Sequence, residues 1–104
     1  MENHTKENNE IAKVIFSQLG GHKFAYMVGA RLLATIDKGL QFHLSKNVNN
    51  YKCVTIRVND EDLYDINFIK WDRNYNSTHN EVKGVQAENL QRVFTEHTGL
   101  KTTL

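Results

Sequence analysis

The sequence predicts an α+β fold: an antiparallel β-sheet of about four or five strands, with an N-terminal and a C-terminal helix packed on one face. Three observations predict it. Apolar residues recur at helical spacing only towards the two ends of the chain. The stretch between them alternates apolar and polar residues with a period of two. The segments separating those alternating runs are short and rich in Asn, Asp and Gly, which suits hairpins and not the long crossovers of a parallel sheet. A length of 104 residues is that of one domain, read as residues 1–104 with 1–7 disordered.

The first helix is expected from about Asn8 or Asn9 to Leu19, where Ile11, Ala12, Ile15 and Leu19 form the stripe and Gly20-Gly21 stops it. From Lys23 to Trp71 the pattern reads as strands. The run Phe24–Val28 comes first, and Gly29-Ala30 interrupts it. Leu32–Ile36 and Leu40–Leu44 flank Asp37-Lys38-Gly39, a hairpin turn whose third position suits a left-handed glycine. Val54, Ile56 and Val58 alternate with Cys53, Thr55 and Arg57, and Tyr64, Ile66 and Phe68 alternate with Asp65 and Asn67. Residues 72–80 read as a polar loop and Glu81–Gln86 as a last edge strand. A second helix spans about Ala87–Thr98, closed by Gly99 with Leu100 folding back towards Phe94. The sheet is then covered on one face and wet on the other.

Composition excludes several classes. Thirteen Lys and Arg against twelve Asp and Glu leave a net charge of +1, so the chain is no bulk polycation. The single cysteine, Cys53, allows no intramolecular disulfide. There is no proline, and twelve asparagines cluster where loops are expected. The N-terminus lacks the basic and apolar regions of a signal peptide, and no apolar run approaches the ~20 residues of a membrane span. A cytoplasmic protein is expected.

No enzyme signature survives inspection. Cys53 sits in a strand pattern away from any histidine, and Ser17, Ser45 and Ser77 lack the glycines of a nucleophile elbow. His4, His22, His43, His79 and His97 show no His-x-x-x-His spacing, so no metal or other cofactor is expected. Asp60-Glu61-Asp62 lacks the alternation and central glycine of a calcium loop.

Charge order is more informative than charge total. Lys38, Lys46, Lys52 and Arg57 are the only charged residues between Lys38 and Val58, and Asp60, Glu61, Asp62 and Asp65 follow directly. Lys70, Arg73 and Lys83 then lie near Trp71 and Tyr75. Aromatic rings among cations suit single-stranded nucleic acid, where rings stack on bases and cations meet phosphate. They suit a protein-binding patch as well, and Tyr51, Ile69 and Trp71 also suit a solvated face or a dimer contact.

Several stretches together carry a resemblance: Gly20-Gly21-His22-Lys23-Phe24, Met27-Val28-Gly29-Ala30, Gly39-Leu40-Gln41-Phe42, Asp62-Leu63-Tyr64-Asp65-Ile66-Asn67-Phe68, Val93-Phe94-Thr95 and Thr98-Gly99-Leu100 through Leu104. Over residues 11–104 the chain resembles small proteins carried by bacterial phages, prophages and other mobile elements, with Val28 standing where that pattern has threonine. The resemblance carries no catalytic motif. It implies a non-enzymatic accessory protein that binds a host defence component, a protein or ribonucleoprotein, as an anti-CRISPR would, on an RNA-guided nuclease or its guide RNA. The alternative is a nucleic-acid-binding accessory protein for phage replication or transcription. A small nuclease is disfavoured by the want of an acid/base pair. The contact residues expected on the wet face and its loops are Lys52, Arg57, Lys70, Trp71, Arg73 and Tyr75.

Overall fold

In the computed structural model, residues 2–102 are described, with side chains from residue 6 onward. A five-stranded antiparallel sheet carries its strands in chain order: β1 (Arg31–Ile36), β2 (Gly39–His43), β3 (Cys53–Val58), β4 (Tyr64–Trp71) and β5 (Ser77–Val85). Three α-helices, α1 (Glu2–Leu19), α2 (Gly21–Val28) and α3 (Leu90–Thr98), complete the α+β fold, and a 3₁₀ turn at Ala87–Asn89 leads into α3.

Every strand joins its neighbour through a short connection, so the sheet is a meander. Leu40 and Phe42 of β2, Val54 and Ile56 of β3, and Tyr64, Ile66 and Phe68 of β4 are buried against the helices. Ala12, Ile15 and Leu19 of α1, Phe24 and Val28 of α2, and Leu90, Val93 and Phe94 of α3 meet them. Phe24 stands edge-on to both Phe42 and Phe94, with ring centroids 5.5 and 5.3 Å apart. Such pairs add about 0.5–1.5 kcal/mol each beyond burial. Polar groups close the layers: Gln91 of α3 donates its amide to the Leu19 carbonyl at the end of α1, 2.7 Å away.

Five features differ from the sequence reading. The first helix begins at Glu2, not at Asn8 or Asn9, and residues 2–7 are helical, not disordered; Met1 lies outside the described residues. No glycine or proline stands between Glu2 and Leu19, so nothing stops the helix extending upstream of its apolar stripe. The run Phe24–Val28 is helix, not strand. Phe24 and Val28 are four apart and both buried, while Tyr26, which strand alternation would bury with them, is 90% exposed.

The turn between β1 and β2 is two residues, Asp37-Lys38, and the left-handed residue is Lys38 at φ 58°, not Gly39. Gly39 serves another need: a Cβ there would lie 2.0 Å from the Ile56 carbonyl oxygen on β3. Finally, β5 starts at Ser77, inside the segment read as a polar loop, because β4 runs on to Trp71 and Trp71 pairs with Ser77. The last α-helix begins at Leu90, not at Ala87, which is exposed in the 3₁₀ turn before it.

Candidate binding groove

Three connected pieces of chain meet at one end of the sheet. The loop from Ser45 to Lys52 is organised by Asn47, whose side-chain amide donates to the Ser45 and Tyr51 carbonyls at 3.0 and 2.7 Å. Its oxygen accepts the Tyr51 N–H at 3.0 Å, so one buried asparagine replaces several backbone pairings. Lys52 follows, its N–H donating to the Ile69 carbonyl at 2.8 Å, so it continues the ladder while its side chain is exposed.

Lys70 and Trp71 end β4. Lys70 points to the helix side, where its ammonium lies 5.5 Å from the centre of the Tyr51 ring. Tyr51 is buried against Phe68, so it belongs to the core and not to the wet face. Trp71 points to the opposite face, 39% exposed, with His43 of β2 edge-on at 6.5 Å. The turn to β5 is then built on Asp72, whose carboxylate accepts the N–H groups of Asn74 at 2.8 Å and Asn76 at 3.0 Å. Those bonds, the one from Asn76 foremost, hold the Asp72 carboxyl below the usual carboxylate range. Arg73 and Tyr75 ride on this turn, and Tyr75 is 84% exposed at φ 62°.

Together these pieces form an open groove of about 810 Å³ between Asn50, Lys52, Lys70, Trp71, Arg73 and Thr78, with Asp72 and Asn76 in its wall. Among the described residues, no carboxylate lies within 4.0 Å of Lys52, Lys70 or Arg73. The one acid in the wall, Asp72, already engages Oδ1 with the Asn74 and Asn76 N–H groups and Oδ2 with the Asn76 side-chain amide. The groove thus offers three cations, with the exposed indole of Trp71 at its border on the other face of the strand.

Of the six residues expected at the site, the fold gathers Lys52, Lys70, Trp71 and Arg73 around the groove and sets Tyr75 on the adjoining turn. Arg57 stands apart. It pairs with Asp65 and Gly39 near the far end of β3, five residues from Lys52, or roughly 16 Å along the strand. The acidic turn Asp60-Glu61-Asp62 lies beyond it, so the acidic block and the groove fall towards opposite ends of the sheet, while Lys38 and Arg57 of the basic block stand at the acidic end. Asn50 and Thr78 were not expected at the site. Thr78 reaches it only because β5 begins early and pairs Thr78 with Lys70.

The remaining chemistry is sparse. Cys53 is buried on the outer face of β3, and loss of hydration pushes its thiol above its ordinary value, the opposite of what a nucleophile needs. Among the described residues, no three His, Cys, Asp or Glu side chains gather where they could hold a metal, and no helix is long and apolar enough to cross a membrane. No protein-family model, curated protein or solved structure matches the chain.

Proposed function

We propose that this chain is a non-enzymatic accessory protein of a bacterial phage or prophage, acting in the host cytoplasm. It binds and inhibits a host defence ribonucleoprotein, as an anti-CRISPR acting on an RNA-guided nuclease or its guide RNA. The defence setting rests on the sequence resemblance. The contact chemistry rests on one observation: Lys52, Lys70 and Arg73 line a groove beside exposed Trp71 without a carboxylate partner. Cations so placed meet phosphate oxygens, and an indole stacks on a base or packs against an apolar side chain.

The same groove favours a second reading, a nucleic-acid-binding accessory protein for phage replication or transcription, since base stacking is tolerant of sequence. Affinity capture of the tagged chain from a host lysate, with and without RNase, separates the two. Recovery of one nuclease complex that survives RNase, and is lost on combined Lys52→Ala, Lys70→Ala and Arg73→Ala substitution, is the outcome expected of the inhibitor. Recovery of heterogeneous RNA alone eliminates the inhibitor and leaves the second reading.

A further inference from the structure

The two edges of the sheet are built differently. The β5 edge carries Glu81 and Lys83, 3.8 Å apart, and a register shift near Gly84, features that discourage pairing with another strand. The β1 edge has no charged residue between Arg31 and Asp37. Its Leu32 is 69% and its Leu33 43% exposed.

Leu32 is also held at φ 54°, left-handed, where β1 shifts register against β2. A leucine rarely adopts that conformation, and no contact within the chain rewards it, since most of the side chain stands in solvent. Beside this edge an apolar pocket of about 400 Å³ opens between α1, α2 and β1. Ala12, Phe16, Ala25, Leu33 and Leu40 line it, with Lys13 at its rim. Exposed leucines and an apolar pocket therefore adjoin on the same surface. A two-fold axis through that surface satisfies both at once and closes the assembly at two copies.

We infer that the β1 edge is a self-association surface, on which a second copy of this chain packs antiparallel about a two-fold axis near Ala34. Charge complementarity selects the arrangement. Arg31 begins the strand and Asp37 follows its end, and neither has an ion-pair partner among the described residues. Antiparallel packing about Ala34 sets Arg31 of each copy opposite Asp37 of the second copy, Leu32 opposite Ile36 and Leu33 opposite Thr35. Leu33 then extends over the other copy's pocket beside Thr35. A parallel arrangement would place Arg31 against Arg31. Thr35 and Ile36 face Leu33 and Leu32 of the other copy, which lie within the register shift, so regular backbone pairing is confined to the neighbourhood of Ala34, and leucine burial and the two end charges carry the association.

Sedimentation velocity on the full chain tests this, with folding of each variant checked by circular dichroism. The wild-type chain is expected to move from 12.0 kDa to twice that mass as concentration rises through the micromolar range. Leu33→Glu and, separately, Arg31→Asp are expected to weaken the dimer at least tenfold. Arg31→Asp combined with Asp37→Arg is expected to restore it, and both positions are exposed, so the swap leaves the core alone. A monomer at every concentration, or a dimer indifferent to Leu33→Glu, overturns the surface. A dimer broken by Leu33→Glu but not restored by the charge swap overturns the antiparallel arrangement.

Discussion

Lys70 holds its ammonium 5.5 Å from the centre of the Tyr51 ring, and that ring lies 5.3 Å from Phe68 in the core. One cation of the groove is thereby seated on the hydrophobic core, while Lys52 and Arg73 are exposed. The attraction between a cation and an aromatic face, about 0.5–1 kcal/mol at such sites, keeps the Lys70 ammonium near the Asn49 carbonyl, 3.5 Å away. Position and charge in the groove are therefore separable by mutation.

If the groove binds single-stranded nucleic acid through phosphate, Lys52→Ala, Lys70→Ala and Arg73→Ala should each reduce the dependence of log affinity on log salt by about 0.7. Arg57→Ala should leave that dependence unchanged, since Arg57 lies near the far end of β3. Trp71→Ala should cost about 1–3 kcal/mol of affinity with little change in salt dependence. A salt titration of binding to a labelled oligonucleotide measures all five variants.

Asn47 makes three hydrogen bonds from a buried position and stabilises the loop that carries Lys52. Asn47→Ala leaves the Tyr51 N–H and two carbonyls seeking partners, which should cost about 2–3 kcal/mol in urea unfolding. Asn47→Asp should recover little of that loss, because a carboxylate donates nothing to the Ser45 and Tyr51 carbonyls.

Two glycines should respond to the same substitution to different degrees. A Cβ at Gly39 would lie 2.0 Å from the Ile56 oxygen and 2.9 Å from its carbon, both backbone atoms, so β2 and β3 must separate. Gly39→Ala should cost on the order of 3 kcal/mol or more. Gly21 sits at φ 67° with nothing within 4 Å, so Gly21→Ala meets only the conformational penalty, about 1–2 kcal/mol. Denaturation midpoints that rank the two in the reverse order would falsify the close approach of β2 to β3.

Acid should loosen the turn that presents Arg73 and Tyr75. The folded state lowers the Asp72 pKa, so its contribution is present above the ordinary aspartate value of about 3.9 and is lost as pH falls through the lowered value. Because Asp72 is exposed, the effect is local to the turn. Trp71 fluorescence should report a transition below the ordinary aspartate range that Asp72→Asn removes. A transition at or above that range contradicts the hydrogen-bonded turn.

Elements whose own residues state their period were legible in the sequence. Leu40, Phe42, Val54, Ile56, Ile66 and Phe68 alternate visibly, and each faces the core. The helix over Phe24–Val28 was not legible, because five successive residues of mostly apolar character match a buried strand and a short helix alike. The start of β5 was hidden too, since Ser77-Thr78-His79-Asn80 has the composition of a loop and is strand only through its ladder with β4. The outlying position of Arg57 escaped for a related reason. Order along the chain places Arg57 only five residues from Lys52, but a strand converts those residues into distance.

By itself the sequence determined the α+β class, the meander, the two amphipathic terminal helices and the presence of cations near Trp71 and Tyr75. These follow from local periodicity and composition, which each segment carries whatever surrounds it. Only the tertiary structure decided that Lys52, Lys70 and Arg73 share a groove, that the acidic turn lies towards the other end of the sheet, and that β1 is an apolar edge beside a pocket. Strand pairing brings together residues far apart in the chain, and it leaves particular edges and faces uncovered, neither of which any single segment encodes.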